Sequence, residues 1–208
     1  MDINDARAAF IYNLRNSRAF SYPFVHFLPD RVFSDVTFEK IKENWPSDLA
    51  FQGIESLNRV TKGAYAERRI LSPLVLMESS AISDEQRQFW NSFFSWFCGD
   101  ELIEEIATWI APYVRQVRRL NRPAKLKSEV ILVSDRDNYS IGPHTDASSR
   151  VFTLLVYLPD GYEAAGAGTT IYRPKDPNYA PGISARHYSK RDFDNCFTTE
   201  FLPNKGLG

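Results

Sequence analysis

The residues best suited to chemistry are His144 and Asp146, which lie two positions apart in the stretch Gly142-Pro143-His144-Thr145-Asp146. On an extended strand, side chains two positions apart project to the same side. An imidazole nitrogen and a carboxylate oxygen placed in this way can bind one cation. They are two of the three protein ligands of a two-histidine, one-carboxylate Fe(II) site. The triplet alone is a weak signal, because a polar turn matches it often by chance.

The residues that follow this triplet strengthen the metal-site hypothesis. A polar turn and Arg150 lead into an apolar run over residues 151–159, and a loop with small residues then precedes Thr169-Thr170-Ile171-Tyr172-Arg173-Pro174. This order resembles the iron(II)/2-oxoglutarate-dependent dioxygenases, specifically their prolyl-4-hydroxylase-like branch. In that branch a Gly-Gly-x-Thr-like turn follows the strand that ends in Tyr-Leu. Here the turn reads Gly166-Ala167-Gly168-Thr169-Thr170, with one Ala between the glycines.

The periodicity of the chain predicts an α+β fold, with helices first and short strands afterwards. A looser similarity to the same family covers residues 20–46, where residues 22–30 resemble the opening strand. The family resemblance implies a double-stranded β-helix, a jelly-roll or cupin-like core buttressed by N-terminal helices. We expect a single oxygenase-like domain over residues 1–208, with helical support mainly in 1–125 and the β-core in 126–208.

The elements are predicted from apolar spacing and from capping and turn residues. A Ser83/Gln86 capping box begins an aromatic-rich helix, and a further helix covers residues 101–120. The other predicted helices cover residues 4–17 and the segment after Ser34. The predicted strands cover residues 22–28, 130–134, 150–158, 168–172, 186–189 and 195–202, with one more near 65–70.

The resemblance implies an Fe(II)/2-oxoglutarate-dependent hydroxylase in which His144 and Asp146 bind the iron. In the family, 2-oxoglutarate occupies two coordination positions and O2 the third, and ascorbate serves as a supporting reductant. The co-substrate is converted to succinate and CO2 while a substrate C–H bond is oxidised. The expected substrate is amino-acid-like, peptidyl or a natural-product intermediate, and the outcome is hydroxylation, desaturation or ring formation.

Four further residues are candidates for lining the 2-oxoglutarate pocket. Thr153 and Tyr157 share one strand face by alternation, and the resemblance places the Tyr157 hydroxyl at the C5 carboxylate. A core tyrosine bonded within the protein is the alternative for Tyr157. Thr170 is expected on the neighbouring strand, facing the same pocket. Tyr139 is the fourth candidate, although strict alternation places it on the face opposite His144.

The sequence does not decide which residue supplies the second imidazole ligand. It contains only three histidines, His26, His144 and His187. The resemblance places that histidine, and an Arg that clamps the C5 carboxylate, beyond Gly208 with the last core strands. Residues 1–208 alone are then expected to be inactive or impaired. One alternative is that His187 has been recruited, although it comes about one strand early. The other is a non-catalytic jelly-roll binding module that has lost the third ligand.

Composition narrows the class of protein further. The net charge is −1, which gives no reason to expect nucleic acid or an anionic membrane as a partner. The two cysteines, Cys98 and Cys196, are too sparse for a secreted disulfide framework. No signal-peptide h-region or membrane-length apolar stretch is visible. We therefore expect a cytoplasmic protein. The resemblance implies a small-molecule or peptidyl substrate, and the sequence selects no oligomeric state.

Overall fold

The computed structural model describes residues 2–57, 65–117, 126–136, 139–159, 167–179 and 184–208. Helix and strand are mixed, which confirms the α+β prediction. The helices are α1 (Ile3–Arg15), α2 (Asp35–Glu43), α3 (Pro73–Glu78), α4 (Asp84–Phe97) and α5 (Asp100–Val117). The strands are β1 (Arg18–Phe20), β2 (His26–Leu28), β3 (Gln52–Gly53), β4 (Arg68–Leu71), β5 (Leu132–Asp135), β6 (His144–Thr145), β7 (Leu155–Val156), β8 (Thr170–Pro174), β9 (Arg186–His187), β10 (Phe193–Thr198) and β11 (Gly206–Leu207).

The chain divides into two compact units, each built from two separated segments. The first contains Met1–Ala8 and Asp35–Ser140, and the second contains Ala9–Ser34 and Ile141–Gly208. The first unit holds helices α2 to α5 and an antiparallel sheet in the order β3-β4-β5. The second unit holds the remaining strands, including the one that carries His144.

Helix α4 supplies much of the core of the first unit. The Ser83 hydroxyl accepts a hydrogen bond from the Gln86 backbone N–H at 3.2 Å, and the Gln86 side chain accepts one from the Ser83 N–H at 3.0 Å. This reciprocal pair is the predicted capping box, and it satisfies donors that would otherwise be orphaned at the helix start. Trp90 is 1 % exposed, and its indole N–H donates to the Asn44 carbonyl at 2.9 Å. Trp90, Phe93, Phe94 and Trp96 are all buried, so most aromatic residues of α4 are core, as the sequence indicated.

Several predicted boundaries differ from the structure. The predicted strand over 150–158 forms a ladder only at β7, and helix α3 was not predicted at all. Ser72 caps α3 by accepting a hydrogen bond from the Val75 N–H at 3.4 Å, and Pro73 takes the first helical position. The predicted end of α5 at residue 120 and Gly166 of the glycine turn lie outside the described residues.

The strands of the second unit pair as four antiparallel ladders within the described residues: β1 with β2, β6 with β9, β7 with β11 and β8 with β10. The β11 segment also bonds to the β2 segment. The Phe27 N–H donates to the Gly208 carbonyl at 2.8 Å, and the Gly208 N–H donates to the Phe27 carbonyl at 3.0 Å. The β11 segment is thus held between residues near 27 and residues near 155. The double-stranded β-helix stays a prediction.

Asn204 fixes the turn that leads into β11. Its φ of 63° lies in the left-handed region, which Asn tolerates better than most residues. Its side-chain oxygen accepts hydrogen bonds from the Val32 N–H at 3.2 Å and the Phe33 N–H at 2.8 Å, and its amide nitrogen donates to the Phe33 carbonyl at 2.8 Å. Asn204 is 7 % exposed. One buried amide therefore joins two segments that are 171 residues apart.

Two expectations about the whole chain can be compared with the described residues. Cys98 and Cys196 are both free thiols there. None of the described helices combines the length and the apolar character needed to cross a membrane.

Candidate functional site

Strands β6 and β9 bring two histidines together at the surface of the second unit. His144 lies directly opposite His187 in the antiparallel register, and Thr145 lies opposite Arg186. The two imidazole rings have centroids 5.7 Å apart and an interplanar angle of 27°. Both residues are exposed. The structure thus pairs the predicted metal ligand with the histidine that the sequence had placed about one strand too early.

The hydrogen bonds of the ladder explain why these two side chains approach each other. The Tyr188 N–H donates to the Pro143 carbonyl at 2.9 Å, so Pro143 and Tyr188 form the hydrogen-bonded type of pair. Pairs alternate along an antiparallel ladder, which makes His144 and His187 a non-hydrogen-bonded pair. Side chains are closest in pairs of that kind. The proximity of the rings therefore follows from backbone register.

The His144 ring is oriented by the glycine turn before it. Its Nδ1 lies 2.9 Å from the Gly142 carbonyl oxygen. A carbonyl oxygen only accepts hydrogen bonds, so this contact requires a proton on Nδ1, and in the neutral ring Nε2 is then the nitrogen with a lone pair. Metal-binding histidines are commonly held by this kind of Nδ1–H contact to a carbonyl. Gly142 has a φ of 72°, a conformation that glycine adopts without steric cost.

Asp146 follows β6 directly, and its carboxylate has polar neighbours. The Thr153 hydroxyl donates to Asp146 Oδ2 at 3.2 Å, and the Arg150 guanidinium lies 3.7 Å from the same oxygen. Both side chains of the Arg150–Asp146 pair are 41 % exposed, so solvent weakens their attraction. The structure therefore brings together two of the predicted site residues, Asp146 and Thr153. Arg150, which follows the metal motif in the sequence, contacts the candidate carboxylate.

The donor atoms around His144 fit an Fe(II) site in their chemistry. Imidazole nitrogen and carboxylate oxygen are the ligands of the facial triad that leaves positions open for substrates. His144, His187 and Asp146 supply those donor types on one surface of the second unit. Within the described ranges, however, no three His, Cys, Asp or Glu side chains are grouped closely enough to hold an ion. Completing the triad requires the Asp146 carboxylate to turn away from Thr153 and Arg150.

Tyr157 lies in the interior of the second unit, where its hydroxyl has protein partners. The hydroxyl donates to Thr169 Oγ1 at 2.8 Å and lies 2.8 Å from Thr199 Oγ1. Thr199 Oγ1 also accepts the Thr169 N–H at 2.8 Å. Tyr157 is 6 % exposed. This arrangement matches the core-tyrosine alternative, and binding of the C5 carboxylate by Tyr157 stays a prediction.

Replacing Tyr157 with Phe separates these two roles. Removing the hydroxyl takes one partner from each of two hydroxyls in a buried network, so we expect a loss of about 1–2 kcal/mol in the free energy of unfolding. Urea denaturation measures this loss. Tyr12→Phe is the control, since Tyr12 is 68 % exposed and should change stability by less than about 0.5 kcal/mol. Unchanged stability with a raised KM for 2-oxoglutarate would instead support the ligand-binding role.

Thr170 lies on β8, where it pairs with β10. Its Oγ1 is 3.0 Å from Thr198 Oγ1, and the register places these two residues opposite each other. The side chain is partly exposed. The structure thus places Thr170 in a cross-strand threonine pair; its predicted role in the 2-oxoglutarate pocket stays a prediction.

Tyr139 belongs to the first unit, where it packs against Arg68. The Arg68 guanidinium lies 4.0 Å from the centre of the Tyr139 ring and donates two hydrogen bonds to Asp135, at 2.6 and 2.5 Å. The Tyr139 hydroxyl oxygen is buried and has no hydrogen-bond partner among the described residues. Burial raises the pKa of this hydroxyl, against the opposing influence of Arg68. It is therefore a protonated donor at neutral pH.

Sequence reasoning missed three residues that shape these surroundings. Gly142 orients His144. The feature of the sequence that could have indicated this role is a glycine two residues before the His-x-Asp motif. Arg68 covers the ring of Tyr139, and nothing in the local sequence indicates this pairing across 71 positions. His187 was noted only as an alternative, because its register opposite His144 depends on the whole intervening segment.

Comparison with known proteins identifies no relative of this chain. No protein-family model, curated protein or solved structure matches the chain, and so its function is argued from its own residues alone.

Proposed function

We propose that this chain is an Fe(II)/2-oxoglutarate-dependent oxygenase with a double-stranded β-helix core. The observation that carries the proposal is the orientation of His144. Its Nδ1–H is committed to the Gly142 carbonyl, so Nε2 is available to a metal two residues before the Asp146 carboxylate.

The iron and 2-oxoglutarate, when bound, supply oxidative decarboxylation and the oxidation of a substrate C–H bond. The chain supplies position and hydrogen bonds. With iron bound, His144 would supply an imidazole nitrogen and Asp146 a carboxylate oxygen. Thr153 and Arg150, which contact Asp146 Oδ2, would help to orient that carboxylate.

Tyr139 lies in the first unit, whereas His144 and Asp146 lie in the second. Its hydroxyl is buried without a hydrogen-bond partner among the described residues. The role of Tyr139 in the 2-oxoglutarate pocket stays a prediction.

The test of the function is formation of the complex and consumption of 2-oxoglutarate. Anaerobic addition of Fe(II) and 2-oxoglutarate to the protein expressed from its native gene is expected to give a weak visible charge-transfer band, and air should then convert 2-oxoglutarate to succinate. His144→Ala should remove the band and lower succinate formation by about a hundredfold or more. Arg186→Ala, on the opposite face of the same ladder, is the control and should keep both signals.

The alternative is a binding module on the same scaffold, and the same experiment distinguishes it. A binding module gives neither band nor succinate with Fe(II) and 2-oxoglutarate, and His144→Ala changes nothing. That result would overturn the oxygenase proposal. We propose an amino-acid-like, peptidyl or natural-product substrate for the oxygenase; succinate release without any such substrate is the uncoupled reaction and is enough for the test.

A further inference from the structure

We infer that His187 is the second imidazole ligand, so that His144 and His187 together bind one divalent transition-metal ion. The inference concerns the metal site itself and takes from the proposed function only the identity of that ion as iron. It differs from the sequence-based expectation, which placed the second histidine after Gly208. The register of β6 and β9 is the observation behind it.

The separation of the two rings is close to what a shared ion requires. A metal–imidazole bond is about 2.0–2.1 Å, so two nitrogens on one ion lie about 3 Å apart and their ring centroids about 5 Å apart. The observed centroid separation is 5.7 Å. Small side-chain rotations close the difference, and both rings are exposed enough to make them.

The backbone around the pair is already held in place. The bond from the Tyr188 N–H to the Pro143 carbonyl lies on one side of the pair. On the other side, the Thr145 hydroxyl donates to the Ser184 carbonyl at 2.7 Å. An ion bound between the rings therefore requires no change of register, which keeps the entropic cost of assembling the site small.

The cationic side chain of β9 lies on the face of the ladder opposite the two histidines. Arg186 lies over the Tyr188 ring at 5.5 Å, and the Tyr188 hydroxyl is 3.4 Å from Thr145 Oγ1. These side chains lie on the face opposite the histidines, because neighbouring residues of a strand alternate. The cationic Arg186 side chain of this face is thus kept away from the ion.

The test uses Zn²⁺ alone, a redox-inert ion that imidazole binds well. Because the chain has three histidines, its imidazole NMR spectrum contains three spin systems. At a pH near 7.5, Zn²⁺ should shift the signals of His144 and His187 and leave those of His26, which is 4 % exposed, in place. Titration calorimetry should give one ion per chain.

Variants test the contribution of each ring. His187→Ala and His144→Ala should each weaken Zn²⁺ binding at least about tenfold, since even partners outside the ligand shell contribute that much. His187→Cys keeps a metal donor and should restore part of the affinity. Arg186→Ala is the matched control from the same strand and should bind as the original chain does.

The outcomes also separate this inference from the proposed function. Shifts of both rings and loss of affinity in His187→Ala support the two-histidine site, whether or not succinate forms. Unchanged Zn²⁺ affinity in His187→Ala overturns it, even if His144→Ala abolishes the charge-transfer band and the oxygenase proposal stands. Shifts confined to His144 overturn it equally. The circular dichroism spectrum of each variant shows that the fold is retained.

Discussion

Replacing Asn204 with Ala is expected to lower the free energy of unfolding by about 3–4 kcal/mol. The change removes the hydrogen bonds of the buried amide to the Phe33 N–H and carbonyl and one of those at the Val32 N–H. It also places Ala at a φ of 63°, where a side chain with Cβ and no local hydrogen bond is disfavoured. Thermal and urea denaturation both measure the effect.

Two further variants show which part of that loss belongs to the amide. Asn204→Gly removes the same hydrogen bonds but relieves the backbone, so its loss should be smaller by about 1 kcal/mol. Asn195→Ala is the control, because Asn195 is exposed and its one side-chain hydrogen bond is long, at 3.4 Å. A loss in Asn204→Ala no larger than that in Asn195→Ala would show that the amide does not join the two segments.

Gly168→Ala should be the most damaging Gly→Ala change among the described glycines of the second unit. A Cβ at this position would overlap the backbone carbonyl oxygen of Thr199 and approach Thr199 Oγ1 to 2.9 Å. The neighbouring Thr169 N–H and Thr199 hydroxyl belong to the network around Tyr157. Because a backbone group cannot rotate away, we expect a loss of about 3 kcal/mol or more in the free energy of unfolding.

The matched control is Gly53→Ala, which also creates a close contact. There the obstructing atoms are the carboxylate end of Glu55, a flexible side chain that can move into solvent. The loss in the free energy of unfolding of Gly53→Ala should stay within about 1 kcal/mol. Equal losses in Gly168→Ala and Gly53→Ala, measured by urea denaturation, would contradict the close approach of Gly168 to Thr199.

Features that depend on neighbouring residues were predictable from the sequence. The Ser83/Gln86 capping box is an interaction over three positions, and the structure contains both of its hydrogen bonds. Helix α3 escaped prediction because six residues carry too little apolar periodicity, and its start rests on one serine and one proline. Local signals therefore located the longer helices and missed a short one.

Features that depend on distant residues were not predictable in the same way. The run over 150–158 has the composition of a strand, yet only Leu155–Val156 find partners, in β11. Composition reports the tendency to extend, whereas a ladder needs a neighbour in register. The same limit applies to the candidate site: His144 could be selected from its spacing to Asp146, while the position of His187 opposite it is a property of tertiary structure.

The hydrogen bonds that residues 204–208 make to Val32, Phe33 and Phe27 affect how the second unit folds. Its bonds to Val32 and Phe33 span 172 and 171 positions of the chain, and bonds to Phe27 span still more. Native pairings this remote in sequence raise the contact order, and domains rich in them fold in milliseconds to seconds. During translation, Phe27 can pair with β1 early, but its bonds to Gly208 form only after residue 208 has been synthesised, and that strand edge is open to aggregation until then.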